Sequence, residues 1–251
     1  ANDDWDVVVM PHSMIDKLTL SEETLMAMAA DDIAALEAEL EEALAEEGGG
    51  TLEEVLAMDN ETLMKKMASP NVKTAKAIAK QRLGLIEKIQ KQAMKSSKED
   101  AVNFEELGVD MIMVDEVHEF KKPSIATRMN MKGLNTSSNK RSVNLQLLTR
   151  YVRRMNNGGN VHTFTGTPIT NTLTEIYHQM RYVMEEEMQK LNVAAWDGWF
   201  GSFASEVTDI ELSATGEYQL VTRLAGFVNV PELRKMIGQF MDIVFANDMP
   251  E

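Results

Sequence analysis

Two short apolar runs limit the fold of this 251-residue chain more than any other feature. MIMV, residues 111–114, passes straight into Asp115, Glu116, Val117 and His118; VHTF, residues 161–164, passes into Thr165, Gly166, Thr167 and Pro168. Each run is followed by a helical pattern, over 142–155 after the first and 171–183 after the second. Parallel strands need a crossover between them and a helix supplies it, so this order predicts an α/β fold with a parallel sheet. DWDVVVMPHS, residues 4–13, with Val7, Val8 and Val9 in succession, reads as a further short buried strand closed by Pro11. Ligands of such sheets gather at the carboxyl ends of the strands. The expected edge therefore carries His12, Asp115, Glu116, His118 and Thr165.

Between the first and second strands the charge separates into blocks. Residues 18–64 hold fourteen acids and no Lys or Arg; residues 65–98 hold ten Lys or Arg and a single acid, Glu87. Leu25, Ala29, Ile33, Leu36, Leu40 and Ala43 recur at helical spacing, which predicts a helix over 21–47 that ends at the glycines 48–50. Further helical pattern covers 52–66, Pro70 breaks it, and a second long helix is expected over 72–95 with Ile78, Leu85, Ile89 and Gln92 on a stripe. The economical arrangement is an antiparallel helical hairpin with acid facing base, since matched charge selects a partner even where each exposed pair contributes little. The 65–98 basic face is thereby assigned to the acidic helix rather than to a polymer. A third basic block, 121–154, has nine Lys or Arg and no acid.

Past residue 186 the pattern changes. Trp196, Trp199 and Phe200 form an aromatic cluster suited to a small core, 210–212 and 218–221 alternate around Ala214-Thr215-Gly216 as a hairpin, and Pro231 opens a helix expected over 233–245. His162 is expected to pack in a core and His178 to sit on a helix surface. There is no cysteine, which excludes a disulfide scaffold and a thiolate zinc site. No apolar run approaches membrane-spanning length and ANDDWD is unlike a secretory signal, so a soluble intracellular protein without a membrane partner is expected.

The strand ends carry the chemistry. Asp115 and Glu116 are adjacent, so they leave the strand in different directions. Phosphoryl transfer uses that division: one carboxylate holds Mg²⁺, usually with several waters, and the other orients and deprotonates the attacking water. On this reading Asp115 is the magnesium ligand and Glu116 the general base, and His118 carries a hydrogen bond from its loop to the next strand's loop. Either motif alone is an ordinary loop after a strand. Their joint placement at two predicted strand ends is the stronger signal.

DEVH followed by TGTP resembles motifs II and III of superfamily 2 helicases, and HEFKK beside it looks like the SWI/SNF-type translocases. The fuller resemblance is to phage- and plasmid-borne proteins in which a helicase-like region lies beside an adenine-specific DNA methylase. The order DWDVVVMPHS, FEELGVDMIMVDEVH, TGTPITN, Arg181-Tyr182 and FVNVPEL follows that family over nearly the whole chain; Val117 stands where the family usually has Ala. The resemblance implies a partial RecA-like domain at 1–20 and 101–185, a charged helical-hairpin insertion at 21–100 and a small α+β C-terminal subdomain at 186–251. It implies ATP and Mg as cofactors, Asp115, Glu116 and His118 as Walker B and coupling residues, and Thr165, Gly166 and Thr167 as motif III. DNA is the implied partner. His12 and Ser13 would lie near its track, and Lys121, Lys122, Lys140, Arg141, Arg153 and Arg154 in the basic block would meet phosphates.

No G-x-x-x-x-G-K-[ST] run occurs in the chain. The resemblance places that cradle upstream and a second RecA-like domain downstream, in a bacterial or phage-infected cytoplasm, with a linked methylase as a further partner. The segment alone is then expected to be inactive as an ATPase. The alternative is a non-catalytic DNA-binding or scaffold module that keeps the helicase fold.

Overall fold

The computed structural model describes residues 5–47, 50–59, 61–63, 73–96, 102–123, 131, 134, 139–169, 174–212 and 217–244. It is a mixed α/β chain, mostly helical, with short parallel strand pairs. The chain divides into two compact units, Lys17–Gly108 and a second made of Ala1–Asp16 with Val109–Glu251.

In the first unit β1 (Leu18–Thr19) pairs in parallel with β2 (Val102–Asn103). Helix α1 (Glu22–Glu47) starts at Ser21, whose Oγ accepts the Thr24 N–H at 3.1 Å. A capping box would place an acid at residue 24 to take the Ser21 N–H; here Glu105, distant in sequence, accepts it at 3.0 Å. A short α2 (Leu52–Leu56) follows, capped by Thr51. The long basic helix α3 (Lys73–Ser96) runs antiparallel to α1: Glu47 accepts from the Ala75 N–H at 3.1 Å, and Glu37 pairs with Arg82 at 2.7 Å. Apolar burial does most of the work between them. Leu40, Ala43 and Leu44 pack with Val55, Leu63, Ala75, Ile78 and Ala79, while Glu39, Glu41, Glu42 and Glu46 stay exposed.

The second unit holds the parallel pair β3 (Ile112–Val114) and β4 (Val161–Thr163), in register Ile112↔Val161, Met113↔His162 and Val114↔Thr163. Helix α4 (Lys140–Met155) lies between them in sequence, its N-terminus capped by Asn139, whose Oδ1 accepts the Arg141 N–H at 2.8 Å. After β4 come α5 (Thr174–Val183), α6 (Glu185–Lys190) and α7 (Trp196–Phe203). An antiparallel hairpin of β5 (Ala204–Leu212) and β6 (Tyr218–Phe227) and a last helix α8 (Val230–Phe240) complete it. Ile176, Tyr177, Met180, Trp196, Trp199, Phe200, Phe203, Leu233 and Met236 form its core.

Several expectations are corrected. Val7, Val8 and Val9 are not a buried strand: residues 7–11 have no regular structure, Val9 is 92% exposed, and a 3₁₀ turn, His12–Lys17, begins at once. A strand needs a ladder neighbour, and none pairs with these valines among the described residues. With two strands, the β3–β4 sheet keeps an open face, so Met113 and His162 point outward; His162 is exposed rather than packed. His178 is buried rather than superficial, because α5 is covered over nearly all its surface. The spacing of Val143, Leu147, Tyr151 and Met155 predicts that they form the inward face of α4, but Leu145, Leu148 and Val152 set that face instead. Helix α6 has no counterpart in the apolar pattern, and α8 ends at Phe240, short of 245. The turn residues 213–216, Gln92's side chain and Pro70 lie outside the described residues.

Candidate functional site

The β3–β4 ladder continues past its strands. The Phe164 N–H donates to Val114 O at 2.8 Å and the Val117 N–H to Phe164 O at 3.0 Å. Both carboxyl ends are thereby fixed side by side, and residues 115–116 are pushed out between two ladder bonds. Glu116 takes a left-handed conformation, φ 49°, before a 3₁₀ turn, Val117–Phe120. That backbone region costs a non-glycine residue about 1–2 kcal/mol, so the surrounding bonds must hold it. The Glu116 N–H donates to Asp115 Oδ1 at 2.9 Å, and His12 Nε2 lies 3.0 Å from the Asp115 carbonyl. Both acids are exposed.

The histidine bridges the two loops. His118 Nδ1 lies 3.0 Å from Thr165 Oγ1 and 3.1 Å from Glu116 Oε2. An ionised carboxylate only accepts, so an Nδ1–H serves both neighbours. Thr165 Oγ1 also accepts the Thr167 N–H at 3.1 Å, which folds the Thr-Gly-Thr turn onto itself. Gly166 and Thr167 are exposed.

Behind this contact lies a cavity of about 10 Å³, room for a single water, lined by Val117, His118, Phe120, Lys121, His178 and Tyr182 among others. The Tyr182 hydroxyl donates to Phe120 O at 2.7 Å, and the Gln179 amide donates to Pro168 O, so α5 supports both loops. Burial raises the Tyr182 phenol far above its usual value. Sequence reasoning missed Gln179 and His178. Arg181-Tyr182 was legible only as a motif, and its tyrosine turns out to brace the acid loop.

The basic candidates separate on inspection. Arg153 is a correction: its side chain is 4% exposed, it bonds Glu186, Glu187 and the Val183 carbonyl, and no phosphate can reach it. Arg150 is likewise committed, clasping Glu185 at 2.7 and 2.6 Å. The acids that balance this block sit outside it in sequence, on α6. Burial pushes the Glu185 carboxyl up, but Arg150 and Arg181 outweigh it and hold the group below its ordinary value. Ser13, Lys122, Lys140 and Arg154 are exposed; Arg141 and Lys121 are half-buried. Lys140 Nζ donates to Asp16 O at 3.2 Å. His12 is half-buried against Phe120.

Among the described residues, no group of three or more His, Asp or Glu could hold a metal ion, and no helix is long and apolar enough to cross a membrane. Residues 1–244 match the family described as a probable helicase domain. The chain belongs to that family. No curated protein and no solved structure matches this helicase domain. In it, the acid loop after β3 and the threonine turn after β4 share one edge and one hydrogen bond.

Proposed function

We propose that this helicase domain contributes half of the Mg·ATP hydrolysis site of an ATP-dependent DNA translocase, on a partial RecA-like core of the SWI/SNF-like superfamily 2 type. The observation that carries the reading is the His118–Thr165 hydrogen bond between the ends of two parallel strands, beside Asp115 and Glu116. Asp115 suits Mg²⁺: an exposed carboxylate with lone pairs beyond the one engaged by the Glu116 N–H, and Mg²⁺ keeps most of its waters. When bound, the ion neutralises phosphate charge. Glu116 orients the attacking water and takes its proton. Thr165 and Thr167, through His118, transmit the state of the acid loop to the turn. Ser13, Lys121, Lys122, Lys140, Arg141 and Arg154 meet DNA phosphates. The sequence holds no G-x-x-x-x-G-K-[ST] phosphate cradle, and on this reading further polypeptide, with a Walker A segment and a second motor domain, completes the pocket. A linked methylase and a bacterial or phage-infected cytoplasm fit the same reading.

That missing cradle also favours a second reading, a DNA-binding scaffold with the helicase fold and no hydrolysis. The discriminating measurement is DNA-stimulated ATP turnover by the full-length protein that contains this domain. Glu116→Gln is expected to lower kcat by about 10²–10⁴-fold with DNA binding unchanged. Turnover equal to the parent's removes the hydrolytic reading and leaves the scaffold.

A further inference from the structure

The peptide between Asp115 and Glu116 is gripped at both ends. Its carbonyl lies 3.0 Å from His12 Nε2, and its N–H donates to Asp115 Oδ1 at 2.9 Å. The second bond joins neighbouring residues and does not tie the peptide to the rest of the fold. The first spans 103 residues of sequence and fixes the peptide in space. We infer that His12 is a positioning residue, a latch on this peptide that keeps Glu116 left-handed and so sets where the acid pair emerges from the sheet.

The latch is itself held. The His12 ring meets Phe120 edge-on, centroids 4.8 Å apart at 63°, and Phe120 is fully buried with its carbonyl bonded by Tyr182. On the other side, the 3₁₀ turn His12–Lys17 is tied to α4: Asn144 donates to Ile15 O at 3.1 Å and Lys140 to Asp16 O at 3.2 Å. A carbonyl only accepts, so the contact requires the proton on Nε2. Turning the peptide over would exchange its carbonyl and N–H and release Glu116 to the right-handed or extended region, where a non-glycine residue is unstrained. Without the His12 donor, the bond opposing that turn is gone. This assigns His12 to the acid loop, rather than to the DNA track on which the sequence resemblance places it. The geometry stands on the His12–Asp115 contact itself; its effect on turnover rests on the proposed roles of Asp115 and Glu116.

The test uses nuclear magnetic resonance on the intact chain, with two variants. His12→Phe keeps a ring against Phe120 and removes the donor; His12→Gln keeps an N–H at comparable reach. The parent is expected to show a His12 ring protonated on Nε2. In His12→Phe the Glu116 amide should exchange about tenfold faster, and its Cα shift should leave the left-handed range. His12→Gln should retain both. In the full-length protein, His12→Phe should lower kcat about tenfold with KM unchanged, and His12→Gln should restore it. A ring protonated only on Nδ1 overturns the latch without any substitution. So does a Glu116 signal that His12→Phe leaves in place, or that both variants move equally. The two readings fail separately: if Glu116 moves in His12→Phe while Glu116→Gln turns over ATP normally, the latch stands and hydrolysis falls.

Discussion

His178 shows what burial does to a single group. It lies on α5 behind the acid loop, 3% exposed, and its Nδ1 has no hydrogen-bond partner among the described residues. Burial, reinforced by the Arg181 guanidinium, lowers its imidazole from 6.5 to about 3. The folded chain therefore keeps it neutral where the unfolded chain protonates it. Stability from this neutral histidine is intact above pH 6.5 and is lost as pH falls toward 3. Between about pH 5.5 and 4, where the unfolded imidazole is protonated and the folded one is not, we expect His178 to add a slope approaching about 1.4 kcal/mol per pH unit to unfolding free energy, measured by denaturant titration. His178→Phe should flatten it. Glu185 falls in a different window: its carboxyl is held below the ordinary 4.5, so its contribution is fully present above that value and fades only at lower pH.

Helix α7 shows how two glycines in one element can differ. A Cβ at Gly198 would stand 2.5 Å from the Asn192 carbonyl oxygen, a backbone atom that cannot swing aside; at Gly201 nothing lies within 4 Å. Gly198→Ala should destabilise the chain by about 1–3 kcal/mol as an overpacked substitution. Gly201→Ala should stabilise it by up to about 1 kcal/mol, because alanine gives up less backbone freedom in a helix. Chemical denaturation of the two variants separates them, and equal effects would contradict the close approach of α7 to the 192–193 backbone.

Across the whole molecule, charge is segregated into blocks. The net charge is −15, yet the 121–154 block is free of acid. Part of that block is spent internally, on the α4–α6 ion pairs, and part remains exposed at Lys122, Lys140 and Arg154. Reversing Lys122 and Lys140 to Glu should weaken binding to duplex DNA and reduce the salt dependence of log K by roughly 0.9 for each phosphate that is no longer neutralised. Arg153→Ala should act through folding instead: taking the buried guanidinium away from Glu186 and Glu187 costs about 3–5 kcal/mol. A charge-reversed chain with unchanged DNA affinity at every salt concentration would remove the polymer-binding assignment.

Periodicity alone determined much of this protein. It specified the long helices of the first unit, because Leu25, Ala29, Leu40 and Ala43 on one side and Ile78 and Ile89 on the other leave a single face to bury. It also specified the two strands that bear the acid pair and the threonine turn, and their parallel order, because a helix lies between them. Tertiary structure decided what local pattern does not encode. Val7, Val8 and Val9 have every β-forming property and no ladder neighbour among the described residues, and they stay exposed. His162 and His178 exchange their expected places, because burial depends on which face the other elements cover. Arg153 left the polymer-facing set once α6 brought Glu186 and Glu187 to it. Glu105 caps α1 from far along the chain, and His12 reaches the Asp115 carbonyl across 103 residues. A sequence records which groups can bond; only the closed chain brings distant donors and acceptors to within three ångströms of each other.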